Sequence, residues 1–330
     1  MGTVLVTGGK GFLGSSIVSQ LKARGENVRI FARRSDTAEN AAADPTEDIV
    51  WGDIRDPEAV DRAVEGVDNI IHVASNFRQG GSDKKVAYAT NVEGTLNLLN
   101  SAKKHNVKHF IHCSTIGVHG TVLEIPANEQ TAFNPTDLYQ ETKLIAEQKV
   151  WEFYKETGLP ITVIRPISLL GPGDLRMLKL FKMIQKGRFF IVGKGEVLFH
   201  PAYIDDVVRG FLLCLNNEKA IGEAFIIGGE EYLTLNELCR VIADELEVAP
   251  PNLKIPMAPM LALATLFEKV CEPFGIEPPL HRRRISFFQN NRAFSIDKVK
   301  QVLGYEPQYS LKETIHKTAE WYKAQGYLSS

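Results

Sequence analysis

The sequence predicts an α/β protein built on a doubly wound parallel sheet, and three observations carry that expectation. Short β-branched runs alternate with longer helical patterns through the first half of the chain. A glycine-rich loop, Thr7-Gly8-Gly9-Lys10-Gly11-Phe12-Leu13-Gly14, joins the first run to the first helix. A length of 330 residues with 44% hydrophobic content is enough to bury a substantial core, as one large domain or two unequal ones. Strands are expected at Thr3–Thr7, Val28–Phe31, Ile49–Gly52, Asn69–Val73, His109–Cys113 and Ile161–Arg165. Helices are expected at Phe12–Arg24, Pro57–Glu65, Lys84–Lys104 and Leu138–Thr157. Six strands in this rhythm place a ligand beyond their carboxyl ends.

After Pro166 the rhythm breaks. Gly171-Pro172-Gly173, the Gly193–Gly195 segment and the prolines from Pro250 to Pro259 mark loops and connections. A strand at Ala224–Ile227 is expected to return to the sheet, and Ala38–Asp48 reads as a loop. Internal repeats and low-complexity segments are absent from the sequence.

A net charge of -2 with 24% charged residues gives no bias toward nucleic acid. Cys113, Cys214, Cys239 and Cys271 are scattered, with neither a disulfide framework nor a metal-ligand spacing, which fits a reducing cytoplasm. The first residues open directly on an apolar strand rather than a secretory signal, and Val6 stands where a myristoylation signal at Gly2 would need Ser or Thr. The stretch Met257 to Phe267 is interrupted by Pro259 and falls short of the roughly 20 residues a membrane span needs, so it reads as a buried helix.

In the glycine loop, Gly8 serves the tight turn, Gly11 the approach of backbone to a pyrophosphate and Gly14 the contact of helix with strand. The helix N-terminus offers free N–H groups to the anion. The second strand runs into Arg33-Arg34-Ser35 with no carboxylate before Asp36. Guanidinium groups suit a 2′-phosphate, so NADP(H) is favoured, with NAD(H) the alternative.

Tyr139 and Lys143 stand four apart in a predicted helix, on one face. A neighbouring cation favours the phenolate and is expected to lower the phenol's pKa toward the range of useful proton exchange. With nine tyrosines in the chain, chance alone supplies such a spacing about as often as not, so its context decides.

That context resembles an extended short-chain dehydrogenase/reductase from the first strand to the last helix. The resemblance rests on the glycine loop, Gly52-Asp53-Ile54, His72-Val73-Ala74-Ser75, Asn91-Val92-Glu93-Gly94-Thr95, Cys113-Ser114-Thr115, Tyr139-x-x-x-Lys143, Arg165-Pro166 and Tyr203-Ile204-Asp205-Asp206-Val207. It implies a Rossmann-type NAD(P)-binding domain over residues 1–170, completed by about 202–228, with a smaller substrate domain from 171–201 and 229–330. It implies Thr115, Tyr139 and Lys143 as catalytic residues: Tyr139 exchanges a proton, Lys143 holds the nicotinamide ribose and tunes Tyr139, and Thr115 bonds the reacting oxygen. Cofactor contacts are expected from Gly8, Gly11, Phe12, Leu13, Gly14, Arg33, Asp53, Ile54, Ala74, Ser75, Arg165 and Pro166, with Asp53 and Ile54 bracketing the adenine. Asn91 is expected to be structural.

The implied activity is hydride transfer between a ketone and a secondary alcohol of a small, apolar substrate. Ile116-Gly117 after Thr115 departs from the Asp-Glu of the dehydratases, and Ser168 from the Asn of many nucleotide-sugar epimerases. An epimerase with retained NAD is the alternative, for which Arg282, Arg283 and Arg284 could hold a diphosphate; a non-catalytic NADP(H) sensor is the third reading. Met257, Met260, Leu261, Leu263, Leu266, Phe267, Phe274, Ile276, Phe287 and Phe288 are either pocket lining or plain core. The closing segment from Phe294 resembles the 3β-hydroxysteroid dehydrogenase-like and dihydroflavonol reductase-like groups. The family pattern also implies a homodimer through the two long helices, Lys84–Lys104 and Leu138–Thr157, while hydropathy and Cys/His spacing point to no membrane span and no metal.

Overall fold

The computed structural model describes residues 2–34, 47–77, 83–271, 278, 285 and 288–329. Strands β1 (Thr3–Thr7), β2 (Asn27–Ala32), β3 (Asp48–Trp51), β4 (Asn69–His72), β5 (His109–Cys113) and β6 (Ile161–Pro166) alternate with helices along the first half. These helices are α1 (Phe12–Ala23), α2 (Pro57–Val64), α3 (Lys84–Tyr88), α4 (Gly94–Lys104) and α5 (Leu138–Thr157). The second half carries β7 (Ser168–Leu170), β8 (Ile191–Val192), β9 (Leu198–Phe199), β10 (Pro201–Tyr203), β11 (Ala224–Ile227), β12 (Leu233–Thr234) and β13 (Lys254–Ile255). Its helices are α6 (Leu178–Gln185), α7 (Ile204–Cys214), α8 (Leu235–Glu245), α9 (Met257–Cys271), α10 (Asp297–Leu303) and α11 (Leu311–Ala324).

Seven strands form one parallel sheet in the order β11-β6-β5-β4-β1-β2-β3. Helices cover both faces, which is why the central strands read as continuous apolar runs: Val4–Val6, Ile70–Ile71, Phe110–Ile111 and Val163–Ile164 are all buried. One core, with Ile17, Leu21 and Phe211, lies under α1 and α7. The other, with Val60, Leu98, Leu99 and Val150, lies under α2, α4 and α5. Strand order reverses between β1 and β4, and the loops leaving those strands open the crevice used by ligands of such sheets.

Three elements differ from expectation or extend it. Ala224–Ile227 does lie in the sheet, parallel to β6, and makes the seventh strand. The helix expected over Lys84–Lys104 is broken into α3 and α4 by a π turn at Ala89–Glu93, which carries Asn91. Such turns cluster at functional sites because the extra residue re-aims a side chain. The third difference is α9, which is not a buried helix: Ala264 alone is buried, whereas Leu266 and Val270 are 57% and 54% exposed. Pro259 sits in its first turn, where the missing N–H costs no internal bond. Among the described residues no helix is long and apolar enough to cross a membrane.

Five histidines, His72, His109, His112, His119 and His200, are buried in or beside the sheet, and burial holds each below its ordinary pKa. His109 falls to about 4. Its Nδ1 accepts the Asn216 N–H at 3.2 Å, so Nε2 donates to the Thr162 hydroxyl at 2.9 Å. A depressed histidine is neutral in the folded protein and gains its proton first in the unfolded chain. Stability is therefore complete above about pH 6.5 and is lost as pH falls toward 4, by on the order of 3 kcal/mol for His109 alone. Denaturant unfolding at a series of pH values is expected to show this decline, with a shallower slope in His109→Gln; an unchanged slope would assign the acid sensitivity elsewhere.

Candidate active site

The loop leaving β1 forms one wall of the crevice. Gly8 has φ +69°, where glycine is unstrained, and a Cβ there would press to 3.0 Å on the backbone of Ala74. Gly14 packs so closely on the Gly8 carbonyl that no side chain fits. The Gly11 N–H closes the loop onto the Gly8 carbonyl at 2.8 Å, and no side chain caps the N-terminus of α1 that follows. The loop and helix end thus form a cradle of backbone N–H groups fitted to a dinucleotide pyrophosphate.

A buried chain of hydroxyls and imidazole ties this loop to its neighbours. Thr7 Oγ1 accepts the N–H groups of Val73 and Ala74, each at 3.2 Å, and donates to His72 Nδ1 at 2.8 Å. His72 Nε2 donates to Thr95 at 2.9 Å, and Thr95 donates to the Asn91 carbonyl at 2.7 Å. The Asn91 side chain then accepts the Asn76 N–H at 2.7 Å and donates to the Thr142 hydroxyl at 2.9 Å. Asn91 is thus structural, joining the 73–76 loop to α5.

Asp137 caps α5 by accepting the Gln140 N–H at 3.0 Å, which puts Tyr139 in the first turn facing the crevice. Ser75 neighbours the Tyr139 hydroxyl and favours its ionised form, and Phe77 meets the phenol ring edge-on, with centroids 4.7 Å apart. Lys143, only 2% exposed, donates to the Cys113 carbonyl at 2.7 Å. The expected depression of the phenol by Lys143 is corrected here. Burial, aided by Cys113, pushes Tyr139 upward against the effect of Ser75, while burial pushes Lys143 downward. The ammonium is held at the end of β5 by the Cys113 carbonyl instead of on the phenol.

Thr115 follows β5. Its hydroxyl oxygen accepts the Gly117 N–H at 3.0 Å, so it does cap its own loop. The bond uses the oxygen as acceptor and leaves the hydroxyl proton available to a substrate oxygen.

One cleft of about 1890 Å³ is bordered by Gly8, Gly11, Phe12, Leu13, Gly14, Arg33, Ile54, Ala74, Ser75, Thr115, Tyr139 and Pro166. It continues into an apolar arm with Leu169, Leu180, Phe189, Met260 and Phe288. Phe12 lies under the Arg176 guanidinium at 5.3 Å, joining the glycine loop to the second half. Met260 and Phe288 therefore line the cleft, whereas Leu263 and Leu266 are exposed. Asp36, Phe274, Ile276, Arg282–Arg284 and Phe287 lie outside the described residues.

Two expected cofactor contacts are engaged elsewhere. The Asp53 carboxylate is held by the Arg55 guanidinium at 2.7 and 3.0 Å, and its neighbours Gly52 and Ile54 border the cleft in its place. Arg165 is 3% exposed and pairs with Glu147 at 2.5 Å, with a further bond to the Glu129 carbonyl at 2.9 Å. Glu147 also accepts the Ser114 hydroxyl at 2.5 Å. Glu147 was missed by sequence reasoning, although it stands four residues after Lys143 on the same helix face.

Fold and cleft together define an enzyme of the Rossmann-type, NAD(P)-dependent class. Residues 4–228 match the model of the NAD dependent epimerase/dehydratase family, and the chain belongs to that family. It is 30% identical over 340 residues to a 3β-hydroxysteroid dehydrogenase/Δ5→4-isomerase of Mycobacterium tuberculosis, covering 98% of this chain and 90% of that protein. It is also 30% identical to a decarboxylating sterol-4-alpha-carboxylate 3-dehydrogenase of Schizosaccharomyces pombe, covering 97% of each. Among solved structures, a UDP-glucose 4-epimerase of Thermotoga maritima superposes with a TM-score of 0.79 at 25% identity, over 98% of this chain and 99% of that one.

Removing one partner of the Glu147–Arg165 pair leaves a buried charge uncompensated. Glu147→Leu is expected to lower stability by about 3–5 kcal/mol, and Glu147→Leu with Arg165→Met to recover much of it. Guanidinium unfolding of the single and double variants measures the coupling, and strictly additive losses would show that the pair acts as two independent groups.

Proposed function

We propose that the protein is an NAD(P)-dependent dehydrogenase or reductase that interconverts an apolar ketone and its secondary alcohol. The observation that carries this reading is the gathering of Ser75, Thr115 and Tyr139 on the lining of one cleft that joins the glycine loop to an apolar arm, with Lys143 buried behind them on the Cys113 carbonyl. The names of the steroid and sterol dehydrogenases to which the chain is similar support an apolar alcohol of that kind.

The backbone groups of Gly8 and Gly11 and the open N-terminus of α1 would hold the pyrophosphate, with Ile54 and Ala74 beside the path of the cofactor. Arg33 and Arg34 are exposed where β2 ends and border the cleft, which supports NADP(H) over NAD(H). When bound, the nicotinamide supplies or accepts the hydride at the carbinol carbon. Tyr139 exchanges the proton on the substrate oxygen, and Ser75 orients the phenol. Thr115, its oxygen already bonded by Gly117, donates its own hydrogen to the same substrate oxygen. Lys143 places a fixed positive charge behind these groups and would hold the ribose hydroxyls. Burial keeps the phenol protonated at neutral pH, which suits it to donate during ketone reduction. Reduction should therefore slow as pH rises toward the phenol's pKa, and alcohol oxidation, which needs the phenolate, should quicken.

Turnover of 3β-hydroxysteroids followed by nicotinamide absorbance tests the reading. Tyr139→Phe is expected to lose about 10²- to 10⁴-fold in kcat while binding NADPH as the parent does. An undiminished rate would remove Tyr139 from the chemistry. The similarity to the UDP-glucose 4-epimerase structure supports a second reading, and the spectrum of the purified protein separates the two, because a stoichiometric, non-exchanging nicotinamide belongs to an epimerase.

The cofactor preference has its own test. Arg33→Asp should shift preference from NADPH toward NADH by about tenfold or more, through loss of a charge-assisted phosphate contact. A parent-like ratio of the two kcat/KM values would clear Arg33 of that role.

A further inference from the structure

Arg176 borders the cleft from the second half of the chain, yet its guanidinium lies over a ring of the first. Its Cζ stands 5.3 Å from the centre of the Phe12 ring, and Phe12 opens α1 directly after the glycine loop. The turn that carries Arg176 closes on the same ring: Gly173, at φ +96°, lies so near that a Cβ there would come within 3.3 Å of Phe12. The Phe12 N–H belongs to the first turn of α1, where helical geometry offers it no carbonyl and no side chain caps the end. The guanidinium and the free backbone donors of the cradle therefore meet at a single residue.

Arg176 is held in place rather than swinging in solvent. Its backbone N–H and its Nε both donate to one oxygen of Asp174, at 2.9 and 2.7 Å, and Nη2 donates to the Leu169 carbonyl at 2.8 Å. The Asp174 side chain is fully buried, and the Tyr322 hydroxyl donates to the Asp174 carbonyl at 2.6 Å, which ties the turn to α11. Two of the five guanidinium donors are thus used. Among the described residues no hydrogen bond engages Nη1 or the second hydrogen of Nη2, and the side chain is 43% exposed. The contact with Phe12 consumes none of these donors, because a ring face attracts the charge without accepting a conventional bond. The same charge favours ionisation of Tyr139, so Arg176 lies within electrostatic reach of the phenol as well as over the start of α1. A planar guanidinium fixed on one edge and open on the other suits a pair of phosphate oxygens.

We propose that Arg176 clamps the diphosphate of a bound dinucleotide from the substrate side of the cleft, so that the cofactor is gripped by backbone N–H groups of the first half and by a guanidinium of the second. The clamp rests on the dinucleotide reading of the cleft given above. Asp174 shares the charge of Arg176, so the contribution is that of one oriented, charge-assisted contact rather than of a free cation.

Fluorescence titration of the cofactor-free protein with NADPH, with ADP-ribose and adenosine 2′-phosphate as competing ligands, tests the clamp without turnover. Arg176→Met should weaken NADPH and ADP-ribose about tenfold and leave adenosine 2′-phosphate, which carries no diphosphate, bound as in the parent. That unchanged third affinity also shows the fold to be intact. Should Arg176→Met not fold, Arg176→Lys carries the same comparison, with a loss of about threefold for the two diphosphates alone, since it keeps the charge but not the fork. Parent-like affinity for NADPH and ADP-ribose in a folded variant overturns the clamp, and so does an equal loss for all three ligands, which would make Arg176 a structural tie between the halves. A parent that binds neither NADPH nor ADP-ribose refutes the dinucleotide reading itself, and the clamp with it.

Discussion

The buried ion pair of Glu147 and Arg165 is the constraint on which the geometry of the site depends. Taking both charges out of water is costly, and the cost is offset only where the remaining donors and acceptors are also bonded. Here they are: Arg165 reaches the Glu129 carbonyl, and Glu147 receives the Ser114 hydroxyl. Each partner lies next to a group of the candidate site. Glu147 is one helical turn beyond Lys143, Ser114 precedes Thr115, and Arg165 precedes Pro166. A single network thus locks α5, the end of β5 and the end of β6 into one relation, so that Tyr139 and Thr115 are both held on the lining of the cleft.

A second network serves the cofactor side. Thr7, His72, Thr95 and Asn91 are all buried and link the glycine loop, the loop after β4 and the π turn. Because His72 must accept on one nitrogen and donate on the other, it holds this chain together only as the neutral imidazole. Burial enforces that state. The π turn makes sense in the same terms: the extra residue brings Asn91 to Asn76 and Thr142 at once, which a regular helix would not. Ser75, carried on the loop so fixed, then reaches Tyr139.

Local signals made much of this legible from sequence. The sheet was readable because buried parallel strands are continuous apolar runs separated by helical periods, and the glycine loop because Gly8 and Gly14 occupy positions where a side chain would collide. The expected bounds of α5 coincide with its caps, Asp137 accepting an N–H of the first turn and Gly158 in the left-handed conformation after the last. What was not legible depends on partners distant in sequence. Arg165 gives no local sign of the Glu147 carboxylate packed against it, and Arg292 none of the cleft it borders. The misreading of α9 has another cause: hydropathy reports affinity for apolar surroundings, not whether the fold supplies them.

The return of the chain into the sheet at β11 has a consequence for how such proteins change over evolutionary time. β11 pairs with β6, and its Ile226 N–H is held by the Glu129 side chain, after the polypeptide has already passed through β7 to β10. Leu169, Leu180 and Phe189 of the apolar arm are therefore threaded between strands of the sheet, whereas Met260 and Phe288 follow its last strand. Exchange of the terminal segment would renew only the part of the pocket that follows β11, unlike in proteins whose parts follow one another like beads. The rest changes only by drift within a segment whose two ends stay anchored in β6 and β11, which favours gradual remodelling of that wall over its wholesale replacement.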